Sequence, residues 1–187
     1  IELSCPLTTL ELHGAASIQA DWVAFLRKRS RLVFPVTIYQ EAKYSVEGNA
    51  PITIRGTPNY RNSGPWNDCV LVKYDVNNVM EEFPFQVHGF FEEVGRGQKS
   101  AVGKMGMKKT KNSRLCEEWT YEPKYRIVDL ETISQVAFAV TVPASCYKQG
   151  GGQAPHRMFV MKDRIQEWPS IFNESRWNEN VRKRRAP

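Results

Sequence analysis

The sequence has no apolar run approaching the roughly 20 residues that a membrane-spanning helix needs, which excludes a transmembrane helix. It has no close pair of cysteines either. Cys5, Cys69, Cys116 and Cys146 stand far apart, and only His13, His88 and His156 are there to join them. A tetrahedral zinc site usually shows two ligands a few residues apart, and a secreted disulfide framework shows regular cysteine spacing. With neither pattern, the cysteines read as reduced thiols of an intracellular protein, and no metal and no cofactor is expected. A phosphate-cradling GxxxxGK(S/T) loop, an HExxH pair and an EF-hand loop are all missing. Gly95-Arg96-Gly97 and Gly150-Gly151-Gly152 are too isolated to stand in for a nucleotide loop. The chain opens on Ile1 without the basic, apolar and small-residue series of a signal peptide, and so reads as a piece of a longer polypeptide.

Acid is in short supply beside base: the formal net charge is +6. Charged residues are only 25% of the total, so basic regions on a folded protein are expected rather than a disordered basic tail, and an anionic partner is favoured. The 187 residues suit one domain, here drawn over 1–173, with 174–187 and its Arg182-Lys183-Arg184-Arg185 cluster as a basic C-terminal tail or linker. That cluster also matches a nuclear-localisation signal.

Strand signals dominate what is present. Leu32 to Val46 is rich in β-branched and aromatic residues. Cys69 to Tyr74 is apolar enough for burial on both faces, with Val70, Val72 and Tyr74 on one and Cys69 and Leu71 on the other. Phe83 to Phe91 alternates, Glu118 to Val128 carries Trp119, Tyr121, Tyr125 and Ile127, and Val136 to Val142 and Arg157 to Met161 have strand length. The polar stretch from Asp75 to Glu82 predicts a hairpin connection. Ser17 to Arg29 spaces Ile18, Trp22, Phe25 and Leu26 for a short helix, with a strand as the alternative, and Ile165 to Phe172 predicts a second helix or turn. Arg96 to Arg114 holds seven cations, several glycines and no acid, and predicts an exposed basic loop. Together these elements predict a mainly β fold, a small barrel or compact sandwich with one or two short helices and a long basic loop.

Catalytic chemistry finds little support. Cys69 or Cys146 with His88 or His156 would be the nucleophile and base, yet Cys69 sits in an apolar strand that would raise its pKa. The acidic pairs Glu81-Glu82, Glu92-Glu93 and Glu117-Glu118 stand where charges solvate turns. The chain is therefore read as a non-enzyme; a hydrolase would require His88 or His156 to meet a carboxylate or thiol.

Recognition chemistry is better represented. Pro58 to Asp75 joins a turn rigidified by Pro58 and Pro65 to the doubly buried strand, and the turn presents Tyr60, Arg61 and Trp66 for stacking and charge. The basic stretch adds Lys104, Lys108, Lys109, Lys111 and Arg114 as phosphate-neutralising candidates. Tyr60, Trp66, Trp119, Tyr121 and Tyr125 would supply rings for bases or a methylated lysine, with core packing as the plainer role, which is the one expected of Trp119 and Trp168.

Asp68-Cys69-Val70-Leu71-Val72, then Phe85-Gln86-Val87-His88-Gly89-Phe90-Phe91-Glu92-Glu93, then Glu118-Trp119-Thr120-Tyr121-Glu122-Pro123 resembles the pattern of bromo-adjacent homology domains over about the middle third of the chain. Pro58-Asn59-Tyr60-Arg61 and Gly64-Pro65-Trp66-Asn67-Asp68, with Val128 to Ile133 and Glu167 to Phe172, resembles the C-terminal β regions of uncharacterised proteins associated with mobile elements. The first resemblance implies a chromatin role, the second an accessory domain of a larger polypeptide. The expectation is an intracellular, non-catalytic interaction module with nucleic acid, another polyanion or a chromatin protein as partner, and with a nuclear location in view. The alternative is a coat-like or scaffold β domain used in assembly.

Overall fold

The computed structural model describes residues 1–11, 13, 20–46, 50–58, 66–112, 116–142 and 157–161. Along these, the chain forms β1 (Glu2–Leu10), α1 (Asp21–Arg27), β2 (Val36–Tyr44), β3 (Ile52–Thr57), β4 (Trp66–Asn67), β5 (Cys69–Val76) and β6 (Val79–Glu93). There follow β7 (Lys99–Asn112), β8 (Glu117–Tyr121), β9 (Arg126–Asp129), the 3-10 turn η1 (Leu130–Thr132), β10 (Ile133–Val142) and β11 (Arg157–Met161). The fold is mainly β and contains a closed six-stranded barrel. Its ring runs β6–β5–β10–β11–β8–β7 and back to β6, each neighbouring pair antiparallel.

Two long strands tie this barrel to a second sheet. The first half of β6 pairs with β5, whereas its last residues pair with β2, from Tyr39 opposite Phe90 to Val36 opposite Glu93. β7 is divided likewise between β9, along Ser100 to Gly103, and β8, from Gly106 onward. β1 and β3 flank β2, and the short β4 pairs with β3.

The core has three clusters. Val70, Val72, Phe85, Val87, Phe90, Ala101 and Met105 pack with Ala42, Ile54 and Ile133. On the other face of β5, Cys69 and Leu71 pack with Trp119, Ala137, Met158 and Val160. Both faces of β5 are thus buried over Cys69 to Val72, while Lys73 and Asp75 are exposed toward the hairpin tip. A third cluster holds α1 on the sheet: Trp22, Val23 and Leu26 meet Val36, Ile38, Phe91 and Val102. Trp22 lies so close over Gly89 that a Cβ there would come within 2.8 Å of the indole ring.

β6 serves two of these clusters because a bulge interrupts its register with β7 between Val87 and Gly89. Before the bulge Phe85 and Val87 face the first cluster; after it Phe90 faces that cluster and Phe91 faces α1. The extra residue shifts the side-chain alternation by one.

Several expectations need correction. The segment from Arg96 to Arg114 is not a long exposed loop: Lys99–Asn112 is strand β7, with Ser100, Ala101, Val102, Gly103, Met105 and Gly106 buried. Its glycines serve close approach rather than flexibility. A Cβ on Gly103 would overlap the Gln86 carbonyl oxygen and lie 2.8 Å from the Phe85 ring. Glu118 to Val128 is two strands, β8 and β9, parted around Pro123, which has no N–H to continue a ladder. The hairpin predicted between Asp75 and Glu82 is present but much tighter, a two-residue loop of Asn77 and Asn78 with φ of 54° and 64°. Such a pair of left-handed residues matches the twist of the strands it joins. α1 forms within the predicted helix, and β11 has the predicted bounds. The second predicted helix, at Ile165 to Phe172, and the tail lie outside the described residues.

Candidate functional site

A cleft of about 420 Å³ opens where α1 meets β9 and the turn before it, lined by Phe25, Arg29, Glu122, Pro123, Lys124, Tyr125 and Arg126. The helix supplies Phe25, which packs half-buried at the margin of the cluster that buries Trp22, Val23 and Leu26. Arg29, four residues on, lays its guanidinium 4.3 Å from the Phe25 ring centre. Pro123 breaks the strand between β8 and β9; the Glu122 N–H just before it still donates to the Met105 carbonyl of β7, and the turn residues that follow line the cleft.

Tyr125 is the centre of the arrangement. Its ring lies 5.8 Å from Phe25 and 5.2 Å, edge to face, from His88, and the Lys104 ammonium stands 5.3 Å from it. Cations so placed over a ring face are attracted by its quadrupole. Arg29, Lys104, Lys124 and Arg126 stand here against two carboxylates, Glu122 and Asp21. Arg126 is hydrogen-bonded to Glu122 through both its Nε and Nη2, and this bonding holds the Glu122 carboxyl below its ordinary range. Burial first, then Asp21, raises the Tyr125 hydroxyl, which stays neutral. Burial and then the charge of Lys104 push His88 down to about 4, so its ring is uncharged near neutrality.

The predicted contact residues fall in different places. Tyr60, Arg61 and Arg114 lie outside the described residues. Trp66 is 46% exposed at the β3–β4 edge, its indole Nε1 donating to Asp68 Oδ1 at 2.8 Å. Lys104 stands over Tyr125 beside the cleft. Lys109 is on the barrel instead, 2.6 Å from Glu117 and 5.3 Å from the Trp119 ring centre, its charge already matched. Lys108 and Lys111 belong to β7, with side chains outside the described set. Trp119 is buried in the barrel, as expected of a core residue.

Of the groups weighed for catalysis, Cys146 and His156 lie outside the described residues, and Cys69 and His88 meet other groups. Cys69 Sγ lies 3.5 Å from Met158 Sδ, and burial pushes its pKa up to about 12. His88 Nε2 is 3.3 Å from Gln86 Oε1. Among the described residues no group of three or more His, Cys, Asp or Glu side chains is placed to hold a metal ion, and no helix is long and apolar enough to cross a membrane.

Phe25, Arg29, Glu122, Lys124, Tyr125 and Arg126 were not singled out together from sequence. The available signals were the four-residue spacing of Phe25 and Arg29 and the alternation of charge and ring in Glu122-Pro123-Lys124-Tyr125-Arg126. No family model matches the chain, nor does any curated protein or solved structure.

Proposed function

We propose that this chain is a non-catalytic binding module that takes single-stranded nucleic acid into the cleft between α1 and β9. The observation that carries the reading is the alternation of cations and rings across it: Arg29 on Phe25, then Tyr125, then Lys104. Rings accept unpaired bases without regard to sequence, each stack contributing about 1–3 kcal/mol, while neighbouring cations neutralise phosphates. An enclosed duplex offers no base face to Phe25 or Tyr125, which is why an unpaired strand is favoured. The chromatin role implied by resemblance and the nuclear location expected from the sequence fit the same anionic partner, as does an accessory role in a mobile-element protein.

Fluorescence anisotropy with a short labelled oligonucleotide, single-stranded and as its duplex, tests the reading. Single-strand affinity is expected to exceed that for duplex and to fall with salt, with a logarithmic slope of about −2 for the few phosphates reached by these cations. Absence of binding at low salt, or binding unchanged by Arg29→Ala together with Lys124→Ala, overturns it.

A further inference from the structure

The β5–β6 hairpin is the other feature that projects chemistry from the fold. At its tip Val79 is 58% and Met80 is 62% exposed, though both sit in an ordered ladder beside the two-asparagine turn. Val79 pairs with Val76 on one face of the ribbon, and Met80 with Asp75 on the other, so the tip is an apolar knob rather than a flat patch. The strand residues next to it carry the acids Asp75, Glu81 and Glu82 and one cation, Lys73. Glu82 is engaged by Ser134 Oγ at 2.8 Å, which leaves Asp75 and Glu81 as the exposed acids beside the knob.

This acid-collared knob is complementary to the basic, ring-lined cleft described above. Phe25, Pro123 and Tyr125 offer apolar and aromatic surface, with Arg29 and Lys124 exposed among them. A thioether against aromatic rings is a favourable contact, and Asp75 and Glu81 would face cations at the rim. The tip is solvent-exposed in its own molecule, so the cleft that receives it belongs to another. We infer that the hairpin tip of one copy of this chain docks into the cleft of a second copy, head to tail. Such a contact joins unlike surfaces and leaves a tip and a cleft free at the ends, so it builds chains or closed rings rather than stopping at two. The small surfaces place it among weak, transient contacts. Nucleic acid and the hairpin would then compete for one cleft.

Sedimentation velocity on nuclease-treated protein, over a wide concentration range and at low and high salt, tests the inference without nucleic acid. The unaltered chain is expected to associate as concentration rises and to dissociate in salt. Met80→Ser with Glu81→Gln in the tip should weaken association by about tenfold or more, the loss expected when a methionine is no longer buried, and Lys124→Glu in the cleft, which sets an acid against Asp75 and Glu81, should weaken it likewise. Mixed together, these two variants should form a one-to-one dimer that grows no further, because the mixture keeps one intact tip and one intact cleft per pair. A chain monomeric throughout, a tip variant that associates like the original, or a mixture that stays monomeric while both variants keep the original circular-dichroism spectrum, overturns the inference. Failure of oligonucleotide binding alone leaves these readouts unaffected, so the two proposals fall separately.

Discussion

Asp68 uses both carboxylate oxygens to hold Trp66 at the junction of the two sheets: Oδ1 accepts the indole N–H of Trp66 at 2.8 Å, and Oδ2 accepts the backbone N–H of Arg55 at 2.7 Å. Its backbone spans the same junction, donating to the Arg55 carbonyl and accepting from Val87. Trp66 is thereby exposed yet fixed in orientation. Asp68→Ala removes both side-chain acceptors and leaves the partly buried Arg55 N–H without one, at a cost of about 1–3 kcal/mol. Urea unfolding should show a lower midpoint with little change in slope. Asp68→Asn should cost less, because its one carboxamide oxygen can still accept the Arg55 N–H while the amide N–H₂ turns toward the exposed Trp66 side.

His88 predicts acid sensitivity. Its folded value of about 4 lies below the ordinary 6.5, so between these values the unfolded chain takes up a proton that the folded chain refuses. Stability should therefore fall as pH drops through that window and level off below it, by up to about 3 kcal/mol from this group. Denaturation of the unaltered chain and His88→Gln across the window isolates the effect, because Glu122 and the other carboxylates remain in both. Parallel curves for the two proteins would refute it.

Gly103→Ala should be among the most damaging single substitutions. The added methyl meets the Gln86 carbonyl and the Phe85 ring at the point where β6 and β7 pair, and backbone has to move to admit it. A loss of about 3 kcal/mol or failure to fold is expected, against less than about 1 kcal/mol for Gly97→Asn, where a Cβ has open space and the positive φ suits asparagine. Thermal melts of the pair make the comparison.

At the cleft, Tyr125→Phe and Tyr125→Ala separate stacking from hydrogen bonding. The phenylalanine variant should keep oligonucleotide affinity within about twofold, while the alanine variant should lose about 1–3 kcal/mol. Lys104→Ala should instead flatten the salt dependence by about one phosphate's worth. Anisotropy titrations at several salt concentrations read both.

The strands whose chemistry is local were legible in the sequence. Cys69 to Tyr74 is apolar on every residue but Lys73, and Phe83 to Phe91 alternates; both are strands where expected. β7 is hidden in the sequence because its glycines and lysines are ambiguous in isolation. Flexibility and close packing call for the same residue, and only the position of Phe85 and Gln86 across the ladder decides between them. The recognition turn was legible as a composition, but only Trp66 of its three contact residues is among those described. The cleft was not legible because its parts are nearly a hundred residues apart. Phe25 and Tyr125 meet only after α1 is pressed onto the sheet by Trp22 against Gly89.

The sharing of β6 and β7 by the barrel and the second sheet governs how the molecule comes apart. Neither half retains a complete edge without the other: removing the barrel strips β6 and β7 from β2 and β9, and removing the sheet leaves Phe90, Ala101 and Val102 uncovered. The two halves must therefore melt in one step. Amides in β6 and β7 should be the slowest to exchange with solvent, and a cut on either side of the Val87–Gly89 bulge should yield no fragment that folds alone.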